Sequence, residues 1–241
     1  LSYTVLDEHL TRINGVAGGI TEFDTTHKRI HDVRLLVGDY QQTQEQFVSM
    51  NFGSSMYRGM NTLSLDDDYD AIRRDLWLST DRKYKEATEM LEKKRAALRQ
   101  QQIPDALKGL ADLAAVEPVT LENAASPITC DAAAWKRNVS RLSAVFSEFP
   151  FISVSYVSFY VSDANRYFVS SEGSRIIVPK RLVVLLSTAT AQADDGEVLS
   201  DFVIHLANTP QELPSIEAME TEIHEMAQTL SVRRDAARMI T

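Results

Sequence analysis

Val154 to Ala191 reads VSYVSFYVSDANRYFVSSEGSRIIVPKRLVVLLSTATA, and Leu1 to Tyr40 reads LSYTVLDEHLTRINGVAGGITEFDTTHKRIHDVRLLVGDY. The two stretches look like one block written twice, about 150 residues apart. Each opens on a Ser-Tyr pair in an apolar run, Ser2-Tyr3 and Ser155-Tyr156. Each then reaches a glycine turn (Gly18-Gly19, Gly173), passes a basic segment (His27-Lys28-Arg29, Lys180-Arg181) and closes on an apolar run, Val33 to Val37 and Leu182 to Leu186. Internal repetition outranks element-by-element reading, because it marks a scaffold that one unit cannot complete alone. Neither copy carries a chemically loaded residue that breaks the match.

Working outward, Arg29 to Leu35 alternates polar with apolar at period two, and residues 1 to 39 predict three antiparallel strands joined by tight turns. Tyr40 to Met60 has no period and reads as a surface excursion. Its Met50, Phe52, Met56, Tyr57 and Met60 are candidate interface residues, soft apolar side chains suited to adaptable contacts. From Leu65 the pattern turns helical, with Asp66 as cap, acids in the first turn and an apolar set of Ile72, Leu76 and Trp77; Ser79 or Thr80 is a second cap candidate, leading into a long helix with Tyr84, Ala87, Leu91 and Leu98 that is either continuous with the first or kinked there. Ile103 to Thr129, with Pro104, Pro118 and Pro127, reads as a linker.

Asp131 then caps a helix through Trp135, Val139, Leu142 and Phe146, ending before Pro150. Phe151 to Val161, Arg166 to Ser170, Arg175 to Val178 and Arg181 to Ala191 read as strands, with turns at Asp163-Ala164-Asn165 and Ser171-Glu172-Gly173. A short strand over Phe202 to Ala207 follows, then a last helix with Pro214 in its first turn. The fold class is α+β: a duplicated block of antiparallel strands flanked by long helices, in two layers. The expected division is 1–125 (strand block, long helices, linker) and 126–241 (helix, strand block, helix), with one composite domain as the alternative.

The chain has 241 residues, 44% hydrophobic and 24% charged, enough for a packed core. A formal charge of -9 argues against general nucleic-acid binding, and the lysine-rich Arg82 to Arg99 is interleaved with Glu86, Glu89 and Glu92 as on a solvated helix. The single cysteine, Cys130, excludes an intrachain disulfide and a thiolate cluster. No apolar run approaches the ~18 to 20 residues of a membrane-spanning helix. The chain opens without methionine, as a processed protein or a fragment does, so a removed export signal is neither visible nor excluded.

Several runs carry a resemblance. Val37-Gly38-Asp39-Tyr40, Leu65 to Ala71, Leu76 to Arg82 with Tyr84-Lys85, Arg141 to Phe146, Arg166 to Gly173 and Ala193 to Gly196 resemble, in order along almost the whole chain, the N-terminal region of the TldD/PmbA-related proteins. Those are assigned as zinc metallopeptidases and were once labelled modulators of DNA gyrase. The resemblance implies an α+β N-terminal region supporting a separate, mostly β C-terminal region. It also implies a homo- or heterodimer with a family member, a peptide substrate for the full-length protein, zinc in the C-terminal region and a cytoplasmic setting. An alternative is an assembly module whose parent has lost peptidase activity. A DNA-topology role fits poorly with the acidic balance.

No catalytic or metal residue is expected in this chain. The family's metal motif is His-Glu-x-x-x-His, whereas the only His-Glu pair is His224-Glu225, with Gln228 and Thr229 where a second histidine would stand. His27 and His31 are four apart, which on a strand separates them by ~13 Å. Asp66, Asp67, Asp68 and Asp70 read as helix-capping acids, lacking the glycine and distal glutamate of a calcium loop. Gly18-Gly19 has no phosphate-loop lysine, and Ser170, Ser171 and Ser187 have no nucleophile context.

Overall fold

The computed structural model describes residues 1–45, 61–100, 110–193 and 195–237. Period-two sequence becomes strand and the 3.6-period segments become helix: β1 (Ser2–Val16), β2 (Gly19–Arg34), β3 (Asn61–Thr62), α1 (Tyr69–Gln100), β4 (Thr120–Glu122), α2 (Ala132–Ala144), β5 (Ile152–Ser170), β6 (Arg175–Gln192), β7 (Val198–Ala207) and α3 (Ile216–Ala237). Sheet order is β3-β2-β1-β5-β6-β4, with β7 also on β6. The fold class is α+β. β3 and β7 pair antiparallel with β2 and β6, while β4 runs parallel to β6.

The chain divides into two compact units, each gathered from three segments. The first holds 1–7, 28–125 and 165–179; the second holds 8–27, 126–164 and 180–241. In the first, α1 accompanies β3, β4 and the adjoining parts of β1, β2, β5 and β6. In the second, α2, α3 and β7 accompany the remaining parts of those four strands.

Several expectations are corrected. Residues 1–34 form two long strands, because a two-residue turn at Ala17-Gly18, both at positive φ (+47° and +80°), closes the hairpin and β2 then runs unbroken. Asp163-Ala164-Asn165 is no turn: β5 passes straight through it. Asp163 accepts the Ile128 N–H and pairs with Arg181 at 3.2 Å, and the Asn165 amide bonds the backbone of Ala125. These polar residues anchor the segment 125–128, whose Ser126 carbonyl also accepts from Arg181. β6 likewise continues through Pro179, which falls between its ladders to β4 (175–177) and β7 (183–192), where a missing N–H costs least. Part of the expected linker forms β4.

α1 and α3 start one or two residues from where sequence places them. Asp68, not Asp66, caps α1, its Oδ1 accepting from the N–H groups of Asp70 and Ala71. α1 has no break at Ser79-Thr80. Asp131 caps α2 as expected, accepting from Ala134 at 3.0 Å, and α2 passes into a 3-10 turn over Val145–Glu148 before Pro150. Ser215 caps α3 through Ala218, leaving Pro214 outside the helix.

Candidate functional site

In the first unit α1 is fixed to the sheet by polar contacts. Ser79, buried in mid-helix, lies with its Oγ 2.8 Å from Nε2 of the equally buried His31 on β2. One residue on, the Thr80 hydroxyl returns a bond to the Leu76 carbonyl and meets the Tyr3 hydroxyl of β1 at 2.8 Å. Near the C-terminal end of α1, the buried Lys94 ammonium donates to Asp112 (2.5 Å) and to the Glu45 carbonyl (2.9 Å). Burial pushes the Asp112 carboxyl up, but the bonds from Lys94 and from the Thr43 N–H outweigh it and hold it below its ordinary range. His31 is also lowered, but here burial is the cause, only partly offset by Asp75 and Asp32.

The apolar stripe read along α1 is rotated in the structure. Ala87 and Leu91 are buried, whereas Trp77 is 64% exposed and Tyr84 is exposed too. Trp77 instead borders a groove of about 380 Å³ with Tyr3, Tyr69, Ile72, Arg73 and Leu76. The lysine-rich stretch does pair along the helix, Lys85 with Asp81 and Lys93 with Glu89 at i,i+4 spacing. Among its lysines Lys94 leaves this pattern, and its half-buried partner Asp112 carried no sequence signal.

In the second unit α2 and α3 cover one face of the sheet. Val157, Phe159, Val161, Val183, Leu185, Ala189 and Leu199 share a core with Trp135, Val139 and Leu142 of α2 and Met219, Ile223 and Leu230 of α3. The Trp135 and Phe159 rings stack at 3.8 Å. The hairpin tip tucks under α2: Gly18 donates its N–H to Ser143 Oγ at 3.1 Å, and a Cβ on Gly15 would lie 2.7 Å from Val139. Outside the core, Arg141 joins α2 to α3 through Glu217 and Glu220. The opposite sheet face keeps Val154, Tyr156, Leu182, Phe202, Ile204 and Leu206 exposed.

The sequence-predicted residues fall apart spatially. His31 is the Ser79 partner in the first unit, and His27 in the second stacks on His9 with centroids 4.0 Å apart. His224 rests edge-on against the Phe149 ring and 3.4 Å from Glu148, while Glu225 is exposed. Asp67 pairs with Arg29 and Asp68 is the α1 cap. Cys130 is half-buried beside the core, and burial pushes its thiol up, away from thiolate chemistry. Met50, Phe52, Met56, Tyr57 and Met60 lie outside the described residues.

No known family profile matches the sequence, and no curated protein matches it. Solved structures do. A Thermotoga maritima protein described as a modulator of a DNA gyrase superposes with TM-score 0.53 at 11% identity, over 94% of this chain and 43% of its own. A Bacteroides thetaiotaomicron protein of the same description gives 0.51 at 11%, over 96% and 44%. TldE from Thermococcus kodakarensis gives 0.49 at 10%, over 95% and 43%. The chain thus spans less than half the length of the structures it matches. The label that the Thermotoga and Bacteroides proteins carry, modulator of DNA gyrase, is the one that the sequence resemblance names. At such identities the likeness is one of architecture, and the chain has the fold of part of the Thermotoga and Bacteroides proteins.

Proposed function

We propose that this chain is the non-catalytic N-terminal scaffold region of a TldD/PmbA-like zinc metallopeptidase, aiding dimer assembly and enclosure of a peptide. One observation carries the reading. The fold likeness takes in nearly the whole chain yet less than half of each matched protein, and the 241 residues contain no His-Glu-x-x-x-His. In this reading zinc and the peptidase groups belong to the complementary region, and the partner is a second family member or a second copy.

The scaffold is read as a duplication. In support, each Ser-Tyr block is a long hairpin, β1-β2 or β5-β6, followed by a third strand antiparallel to the hairpin's second strand, then by a long helix, α1 or α3. The first strands of the two hairpins are neighbours in the sheet.

Calorimetric titration with zinc, paired with a peptide-hydrolysis assay, tests the scaffold reading. The expected result is no zinc site tighter than surface histidines provide and no chelator-sensitive hydrolysis. One tight stoichiometric site accompanied by hydrolysis would overturn it.

A further inference from the structure

His27 was weighed in sequence against His31, along one strand; the fold instead brings it to His9, across two. β1 and β2 are neighbours in the sheet, and the His9 and His27 imidazoles lie face to face, centroids 4.0 Å apart and planes 12° from parallel. Both residues belong to the second unit. His9 is exposed and His27 half-buried, so the pair is open to solvent, and one ring nitrogen of each lies within 4.8 Å of the other. With His9 exposed the pair adds little apolar burial, and packing alone does not account for two imidazoles here. The strands beneath them are fixed. The Gly18 N–H donates to Ser143, the Ser140 hydroxyl donates to the Gly18 carbonyl, and Lys136 lies 3.3 Å over the Phe23 ring of β2.

We propose that His9 and His27 form a two-imidazole chelate for a tetragonal divalent metal ion, copper(II) by preference. Two neighbouring nitrogens at ~2.0 to 2.1 Å from one ion are about 3 Å apart, a spacing the rings reach by tilting from parallel to convergent. Coordination uses one nitrogen of each ring and leaves the other to donate to a neighbour, so a second contact at His27 does not compete with the ion. The acids beside His9 are already bonded: buried Glu8 accepts from Ser162, and Asp7 accepts from Arg29 in the first unit. The protein then supplies two nitrogens, and water completes the shell. That donor set suits copper(II), which takes tetragonal nitrogen and oxygen ligands and binds most strongly in the first-row divalent series. Zinc sites in proteins use three or four protein ligands, so zinc gains no tight site here, in keeping with the scaffold reading.

The untagged chain, titrated with copper(II) in a weakly coordinating buffer and followed by electron paramagnetic resonance, tests the site. One equivalent should bind in a tetragonal environment with splitting from two imidazole nitrogens. His9→Gln and His27→Gln should each weaken that equivalent by about tenfold or more, because loss of one ring removes the intramolecular second bond. His224→Gln, on α3, should leave it unchanged. In the unsubstituted chain copper should first broaden the amide resonances around residues 9 and 27, a readout that does not depend on the variants folding. Copper spread evenly over several sites, a single-nitrogen signal, broadening centred elsewhere, or affinity that ignores either substitution would overturn the proposal. None of these outcomes touches the scaffold reading, which falls instead to a tight zinc site accompanied by hydrolysis.

Discussion

The two units are held together by different chemistry. The second is an apolar core: Phe159, Leu142, Leu185, Ile223 and Leu230 are fully buried, and its polar contacts stand mostly at the margins. The first buries Val33, Leu63, Ala87 and Leu91, but the seat of α1 includes His31, Ser79, Thr43 and Lys94 as well. Apolar burial is non-directional and insensitive to pH, whereas a buried polar contact is worth little net and costs much when one partner is lost. The second unit should therefore respond to volume, the first to protonation and to loss of single partners.

The largest effect should come from the apolar side. Phe159→Ala removes a ring stacked between sheet and α2 and leaves a cavity, at a cost of about 3–5 kcal/mol in denaturant unfolding. A cost under about 1 kcal/mol would mean that the core collapses to refill the site. The next should come from the polar side. Lys94→Met keeps the stem but strands the Asp112 carboxylate and the Glu45 carbonyl, costing about 1–3 kcal/mol. That loss should shrink at low pH, where Asp112 is protonated. If Lys94→Met proves neutral or stabilising, the first unit is held by packing after all and the contrast between the units fails.

The same contrast explains what the sequence could tell. The second unit was legible because its signals are local and apolar: Asp131 as cap, Trp135, Val139 and Leu142 at helical spacing, and alternation along 181–191. Where sequence reading failed, a polar residue served a distant partner. Asp163 and Asn165 resemble turn formers, yet they bond Ile128 and Ala125 more than 30 positions away. Ser79 resembles a helix start, yet it meets His31 from 48 positions along the chain. Trp77 falls at helical spacing with Ile72 and Leu76, yet the rotation of α1 set by Ser79, Ala87, Leu91 and Lys94 turns it outward. The β7 edge was half seen, as a strand over 202–207, because its exposed face is as apolar as a buried one.

The most direct test of the contrast is native-state hydrogen exchange, corrected for intrinsic rates, on the amides of α1 and of α2 and α3 at pH 7.5 and 5.5. Burial holds the His31 pKa below 6.5, so the unfolded chain takes up the proton first. The stability of the first unit is then complete above about pH 6.5 and declines as pH falls below it toward the lowered folded value. Protection of α1 should drop at pH 5.5 while that of α2 and α3 holds, and the drop should vanish in His31→Gln. Equal loss in all three helices, or an α1 whose protection ignores pH, would contradict the account.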